Sequence, residues 1–310
     1  MPSRARTRRA FRSIAAALAF FAAACAGDPR SGGPDTGVVP DGGGDADSDI
    51  DTESDLDLDA DIVLDSDEDV DHDDDRPCPA NGDGRLERAE VVVSFDLAVL
   101  YRAPPSGRTV PVDLAGAVED AVRTWHFEEP VADERVVEEA VGHVRPEWVA
   151  RAFPSATYLA SLSEQYATSG VFRLDDDALL LLGVVSDSGQ GTLVRYDPPV
   201  PVLRFPVSEG DTWTVTTSGS GRMSWVPFWD TEEYTFTADA AGVVVVPAGR
   251  YPVIRVRTEL TQTVGLVVTR RISYGFFAEC WGRVAQVVSR DGERELEFST
   301  AADYRRLTFE

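Results

Sequence analysis

The strongest constraint on this chain is an acidic segment, residues 28–77, which carries twenty aspartates and glutamates against two arginines. A segment of this composition cannot bury enough apolar surface to offset its chain entropy, and its like charges repel one another. We therefore predict a disordered, extended linker over residues 25–77. A compact fold has to be built from residues 78–310, whose 34 acidic and 22 basic residues leave a net charge of −12.

The first 24 residues have the pattern of an export signal peptide. Five arginines precede an apolar run, Ile14–Ala24, which is too short to span a bilayer permanently. The run ends in Ala22-Ala23-Ala24-Cys25, which resembles the lipobox of bacterial lipoproteins and implies that Cys25 is acylated and becomes the mature N-terminus. The alternative is an ordinary cleavage site with a chance cysteine. Thr7–Phe11 also resembles the twin-arginine export motif, so both the twin-arginine and the Sec route stay open.

The resemblance to lipoproteins implies a location and a first partner. Ala26, rather than an aspartate, follows Cys25. In the enterobacterial sorting pattern this favours the outer membrane, on its periplasmic face or at the cell surface. The N-terminal lipid would attach the protein to that membrane, and the linker would separate the folded part from it.

Two further cysteines remain once Cys25 is assigned to lipid. They are Cys78 and Cys280. In an oxidising compartment the even count predicts a disulfide between them. The alternative is a pair of unrelated thiols.

Residues 78–90 resemble an isolated EF-hand calcium loop. Oxygen-bearing residues fall at its ligand positions, and Gly84 falls at its turn position. The predicted calcium ligands are the side chains of Asn81, Asp83 and Glu90 and the main-chain carbonyl of Arg85. The first ligand position holds Pro79, so the alternative is a turn without any cofactor that leads into the domain.

From Val91 onwards the hydrophobic pattern indicates short strands separated by turn residues. Several segments alternate apolar and polar side chains, as Val253–Leu260 does, which is typical of antiparallel strands with one solvated face. Helical spacing is clearest at Pro146–Phe153. The pattern predicts a mainly β fold: a curved, half-barrel-like antiparallel meander with a short helical insertion. We place an α+β part at residues 91–170 and the main antiparallel sheet at residues 171–310.

Individual strands follow from the same pattern. The first two are predicted at Val91–Tyr101 and Thr109–Leu114. Pro198-Pro199 is predicted to end a strand at Leu193–Tyr196, because proline cannot donate to a strand ladder. Residues 119–165 show a looser pattern.

Three motifs in the last 120 residues follow one another as they do in uncharacterised bacterial envelope lipoproteins, which this part of the chain resembles. The motifs are Gly-Asp-x-Trp, Val-Pro-Ala-Gly-x-Tyr/Phe and Ala-x-x-x-Gly-x-Val. The residues concerned are Gly210, Asp211, Trp213, Pro247, Ala248, Gly249, Tyr251 and Trp281. The resemblance implies a curved antiparallel sheet related to the half-barrel of lipoprotein carriers, with a turn at Pro247–Gly249 and Trp213 in the core. It implies no catalytic residue.

Residues with catalytic or metal-binding potential are scattered. His126 and His143 have no second His or Cys at metal-ligand spacing. Ser218–Gly221 lacks the spacing of a nucleophile elbow and is predicted to lie in a flexible hairpin loop. The acidic groups Asp175–Asp177 and Glu138–Glu139 are predicted to be solvated surface residues.

The apolar cluster Met223–Trp229 allows two interpretations. Its large side chains either close one end of the sheet or form an apolar rim for a partner.

The functional expectation is an exported, lipid-anchored envelope protein with a monomeric, non-catalytic β domain that binds an envelope partner or has a structural role. Nucleic acid is excluded as a partner because no basic stretch follows Arg12. Two alternatives stay open. The domain could carry or sense a lipid or another apolar ligand in its groove, or it could be a hydrolase, provided that His126 or His143 lies beside a serine or an acid in a cleft.

Overall fold

The computed structural model describes residues 78, 80–95, 98–145, 147–163, 168–186 and 191–309. The predicted signal peptide, Cys25 and the acidic linker lie outside these residues. Within them, no helix is long and apolar enough to cross a membrane.

The described chain forms sixteen strands, one α-helix and a 3₁₀ turn at Arg88–Glu90. In chain order the elements are β1 Ala98–Ala103, β2 Val110–Pro111, β3 Ala117–Glu119, β4 Val122–His126, β5 Arg135–Gly142, α1 Glu147–Ala152, β6 Tyr158–Ser163, β7 Thr168–Leu174, β8 Ala178–Ser186, β9 Leu193–Arg204, β10 Thr212–Met223, β11 Val226–Val246, β12 Gly249–Val264, β13 Val267–Ala278, β14 Gly282–Val288, β15 Thr300–Ala301 and β16 Asp303–Thr308.

Twelve of these strands form a closed cylinder. Strands β5 to β14 make an up-and-down meander in which each strand pairs with the next. The gap between β5 and β14 is filled by β1 and β16, which pair with each other and with those two strands. The predicted mainly β fold with a curved antiparallel meander is thus confirmed, and the sheet closes on itself where a half-barrel would have open edges.

Aromatic side chains fill the interior of the cylinder. On β11, Tyr234 and Phe236 point inward and are buried, whereas the intervening Thr235 lies on the outer face. Trp213 of β10 stacks on Phe236 with ring centroids 5.3 Å apart, and its indole N–H donates to the Pro201 carbonyl at 2.6 Å. The inner face is therefore a packed core.

A second layer covers the outer face of β12 and β13. Trp125 of β4 packs edge-on against Phe276, with ring centroids 5.1 Å apart. Arg255 lies beneath Trp125, is only 3% exposed, and donates to Asp239 at 2.8 Å. The predicted solvated face of Val253–Leu260 is therefore wrong at its first residues, because the segment containing β4 buries them.

The helix predicted at Pro146–Phe153 is confirmed as α1, Glu147–Ala152. It lies on the outer face of β7 and β8 and buries one apolar stripe there. The residues packed together are Val149, Phe153, Val171, Leu182 and Val185. The boundary predicted at residue 170 falls within β7, and strands from both sides of it belong to one sheet.

The segment 78–95 runs across one end of the cylinder. Cys78 is disulfide-bonded to Cys280, between β13 and β14, with their Cα atoms 5.4 Å apart. Further along, Leu86 forms a β-bridge with Val207, between β9 and β10, and is buried in the core. We call this the disulfide end, and the opposite end carries the β10–β11 and β12–β13 hairpins.

Two predicted strands near the start of the domain are shorter than expected. Of the described part of Val91–Tyr101 only Ala98–Tyr101 is strand, and Val91 is buried at the disulfide end. Of Thr109–Leu114 only Val110–Pro111 is strand. After Pro111 the chain leaves the strand and buries Leu114, whose carbonyl accepts a hydrogen bond from the indole N–H of Trp125 at 2.9 Å.

The prediction that Pro198-Pro199 ends a strand is wrong, because β9 continues to Arg204. The register against β8 shifts between Leu181 and Gly183, and the two prolines lie in the unpaired stretch of this irregularity. Their missing N–H groups therefore interrupt no ladder hydrogen bond with β8.

Candidate functional site

The end opposite the disulfide exposes large apolar side chains on two adjacent hairpins. The hairpins are neighbours because β11 and β12 pair up to Thr231 and Thr263. Leu266 is fully exposed, and Trp225 and Trp229 are 72% and 68% exposed. We call this surface the apolar end, and its members are Trp225, Val226, Trp229, Val264, Leu266, Val267 and Val268.

Both interpretations of the cluster Met223–Trp229 hold for part of it. Met223 and Phe228 are half-buried and pack against the core, as expected of residues that close one end of the sheet. Trp225 and Trp229 instead project into solvent. Exposed large apolar side chains grouped on two adjacent hairpins of a folded domain indicate an interaction site.

The β10–β11 turn holds Trp225 in an uncommon backbone conformation. Ser224 and Trp225 have φ angles of 49° and 70°, in the left-handed region that glycine and asparagine usually occupy in two-residue hairpins. The Trp225 N–H donates to the carbonyl of Gly191 at 2.7 Å, which fixes the turn against the neighbouring β8–β9 connection. The turn that carries the exposed indole is therefore fixed, and the indole itself lies beside Gly191 and Arg222.

The predicted flexible loop at Ser218–Gly221 is wrong, because these residues lie inside β10. Glycine is required at position 219 because a Cβ atom there would come within 2.1 Å of the Asp230 Oδ1 atom on the partner strand. Gly221 would similarly meet the Leu193 carbonyl oxygen at 2.0 Å. The glycines thus make room for neighbouring strands and for a buried carboxylate.

Asp230 forms part of a buried polar group just inside the apolar end. Gln262 donates to Asp230 at 2.7 Å and to Glu232 at 3.0 Å, and the Tyr234 hydroxyl donates to Glu232 in a short hydrogen bond. The Asp230 Oδ1 atom has no hydrogen-bond partner among the described residues. Burial raises the pKa of Glu232 to about 8, and the adjacent Asp230 carboxylate raises it as well.

Replacing Glu232 by glutamine should flatten the pH dependence of stability between about pH 4.5 and pH 8. In this window the folded state keeps a proton that the unfolded chain has lost, because the folded pKa is raised. The free energy of unfolding of the wild type should therefore fall as pH rises, by up to about 1.4 kcal/mol per pH unit from this group. Urea titrations at several pH values measure this. Glu233→Gln, on the exposed face of β11, is the matched control, and parallel curves for wild type and Glu232→Gln would contradict the prediction.

A second buried polar group lies where β1 and β16 close the cylinder. Glu139 of β5 is 1% exposed and is bound by Arg283 of β14, whose Nη2 lies 2.7 Å from Oε1. Arg305 of β16 makes a further short bond to Glu139. The guanidinium of Arg283 also lies 5.3 Å from the ring centre of Tyr101. Glu139 was predicted to be a solvated surface acid, and this is wrong because two arginines bind it in the interior.

His126 does lie within hydrogen-bond reach of acids. Its Nε2 is 2.9 Å from Glu119, and its Nδ1 is 3.0 Å from Glu128. The hydrogen bonds to Glu119 and then Glu128 raise the pKa of the imidazole. Both ring nitrogens are thus engaged by carboxylates, which leaves neither of them to accept a proton from a nucleophile. His126 borders an exposed cleft of about 400 Å³ that is also lined by Asp113 and Tyr304.

The other candidate residues lie apart from one another. His143 stacks on Phe95, with ring centroids 4.2 Å apart. Glu138 is exposed, and Asp175 pairs with Arg173 at 2.9 Å in the β7–β8 connection. A second cleft, of about 610 Å³, lies between β1, β11 and β16 and contains the Arg102–Glu134 ion pair.

The side-chain oxygens of the predicted calcium loop accept hydrogen bonds from the loop's own main-chain N–H groups. Asn81 and Asp83 accept the N–H groups of Asp83 and Arg85 at 2.9 and 2.8 Å, and Glu90 accepts that of Glu87 at 2.9 Å. Burial raises the pKa of Glu90. Across the described ranges, no group of three or more His, Cys, Asp or Glu residues is placed to hold a metal ion. Calcium binding at this loop stays a prediction.

The residues of the three motifs lie in turns and in packed positions, where they support the fold. Gly210 and Asp211 form the turn before β10, where Asp211 accepts the Ser208 N–H at 2.8 Å, and Trp213 lies in the core. Pro247-Ala248 connects β11 to β12, and Gly249 begins β12 with a φ of 136°. Tyr251 packs edge-on against Trp281 at 5.3 Å, near the disulfide end.

Comparison with known proteins places the chain in no family. No family model matches it, and no curated protein is significantly similar. One similar solved structure is a Bacteroides fragilis protein, inferred to be exported, with a YmcC-like fold. It shares 14% identity at a TM-score of 0.28, over 56% of this chain and 85% of its own. A similarity this weak is no evidence about function.

Proposed function

We propose that this protein is a lipid-anchored envelope protein of the outer membrane whose β domain binds a partner through its apolar end. The observation that carries the proposal is the exposure of Trp225, Trp229 and Leu266 at one end of an otherwise closed and packed cylinder. The signal pattern and the lipobox-like Ala22-Ala23-Ala24-Cys25 support the anchor.

The packing of the interior favours a binding surface over a carrier groove. Val256 and Leu260, on the inner face of β12, are at most 3% exposed and belong to the main core cluster. Trp213 and Phe236 stack against each other in the same interior. A ligand carrier would instead leave the inner face of these strands uncovered.

The polar groups of the domain favour binding over catalysis. Glu139 and Arg283 neutralise each other in the interior, and His126 has a carboxylate at each ring nitrogen. A hydrolytic site needs a nucleophile whose proton a free base can accept. The apolar end holds hydrophobic side chains in place of such a pair.

Replacing Cys25 by alanine should remove the lipid and move the protein from the detergent phase to the aqueous phase in detergent phase separation. The reason is that acyl chains supply about 0.8 kcal/mol of membrane affinity per buried CH₂ group. Mass spectrometry of the N-terminal peptide checks acylation directly. Val118→Ser, at an exposed site on β3, is the control. An unacylated wild-type Cys25, or equal detergent partitioning of wild type and variant, would overturn the anchor.

A further inference from the structure

We infer that the partner of the apolar end is a lipid bilayer surface, into which Trp225, Trp229 and Leu266 insert at the boundary between headgroups and acyl chains. The inference deepens the proposed function and rests on its lipid anchor. It assigns to the two hairpins a direct contact with lipid that the anchor alone does not provide.

The shape and chemistry of the apolar end suit a bilayer. Its side chains stand on the tips of two hairpins, so the surface projects outward, and the fully exposed Leu266 lies at one tip. Tryptophan prefers the membrane–water interface, where its ring is buried and its N–H stays hydrated. The main chain of Trp225 is fixed by its left-handed turn and its bond to Gly191, and its indole borders Gly191 while 72% of the residue stays exposed.

The distribution of charge also fits a membrane surface. The tips of the two hairpins, residues 222–229 and 263–271, contain no aspartate or glutamate, although residues 78–310 have a net charge of −12. Arg222 lies 5.9 Å from the Trp225 ring, and Arg270 borders the second hairpin, where it pairs with Glu259 at 2.6 Å. The tips themselves thus carry no acid that an anionic bilayer would repel, and the acids Glu259 and Asp291 beside the second hairpin are paired with Arg270 and Arg271.

The anchor keeps this surface near lipid. The 52 residues between Cys25 and Cys78 reach at most about 180 Å when fully extended. The longest strand, β11, has 21 residues and measures about 70 Å. The apolar end can therefore reach the bilayer that holds the lipid although Cys78 lies at the opposite end, and tethering raises the effective concentration of a weak contact.

Quenching of tryptophan emission by brominated lipids tests the docking. Full-length protein is purified from membranes and placed in vesicles of phosphatidylethanolamine, phosphatidylglycerol and phosphatidylcholine brominated on its acyl chains. Of the six tryptophans, Trp125 and Trp213 are buried in the domain. We expect the wild-type emission to be quenched, and the double variant Trp225→Ser/Trp229→Ser to lose nearly all of this quenching.

A second variant separates docking from folding. Leu266→Ser removes a fully exposed side chain, so the fold should not change. The variant keeps all six tryptophans, so its tryptophan emission reports docking alone. We expect the substitution to reduce the equilibrium constant for contact between the apolar end and the bilayer about tenfold, as loss of one buried leucine would. Val118→Ser, at a position on β3 that is 74% exposed, should behave as wild type.

Three outcomes would overturn the inference. The first is an absence of quenching in vesicle-bound wild-type protein, and the second is equal quenching in wild type and both variants. The third is an intermolecular disulfide between two copies of Leu266→Cys on vesicles without lipid quenching, which would identify a second copy as the occupant. Acylation of Cys25 is measured on the same samples, so a failure of the anchor is distinguished from a failure of the docking.

Discussion

Replacing Glu139 by alanine should lower the free energy of unfolding by about 3–5 kcal/mol, since it leaves buried arginine charge without a partner. Arg283 is fully buried, and its guanidinium donates to the carboxylate of Glu139 and to the side-chain oxygen of Gln286. Arg305 also loses its short bond to Glu139, although it keeps Asp303 at 3.0 Å. Urea denaturation followed by tryptophan emission measures the effect.

The matched control for this substitution is Glu147→Ala on α1. Its ion pair with Arg151 is largely exposed, with the two side chains 84% and 73% accessible at a separation of 3.7 Å. An exposed pair of this kind contributes less than about 1 kcal/mol. Equal, small losses of stability in both variants would show that water or another group neutralises Arg283 when Glu139 is absent.

Loss of the Cys78–Cys280 disulfide should destabilise the domain by about 2–5 kcal/mol, because the bond closes a loop between positions 202 residues apart and restricts the unfolded chain. It also fixes segment 78–95, which contributes Leu86 and Val91 to the core. Urea denaturation of Cys78→Ser/Cys280→Ser beside the oxidised wild type measures the difference.

Reductant provides the control for the disulfide prediction. Reduction should shift the wild type to the stability of the double serine variant and should leave that variant unchanged. A wild type whose denaturation midpoint is the same with and without reductant would show that the non-covalent contacts of Leu86 and Val207 hold the segment alone.

The meander could be predicted from the sequence because its central strands alternate. On β11 the inward Tyr234, Phe236 and Ala238 are separated by outward polar residues, which is a local signal. β5 was not predicted, since its inner face includes Glu139. Only the fold shows that Arg283, 144 residues away, neutralises that carboxylate.

Closure of the cylinder could not be predicted for a related reason. The pairing of Leu100 in β1 with Thr308 in β16 joins distant parts of the chain and leaves no local pattern in either strand. The sequence therefore indicated a curved sheet and could not show whether its edges meet.

Half of the candidate site could be recognised in the sequence. Met223–Trp229 stands out because bulky apolar residues cluster around a turn. The second hairpin, Val264–Val268, gives no such signal, since an apolar run of β-branched residues is also what a buried strand contains. Its exposure follows from Gly265, whose φ of 60° forms the turn and places Leu266 at the tip.

The position of β16 between β1 and β14 has a consequence for biogenesis. β16 follows every other strand in the sequence, so during synthesis the first and last strands of the cylinder cannot be joined until nearly the whole domain has been made. Pairings between strands this far apart in the sequence form slowly. For the proposed export, this order leaves time to thread the chain through the Sec channel before the cylinder closes, whereas twin-arginine transport would have to wait for closure. Pulse-chase protease protection in the cytoplasm separates the two routes.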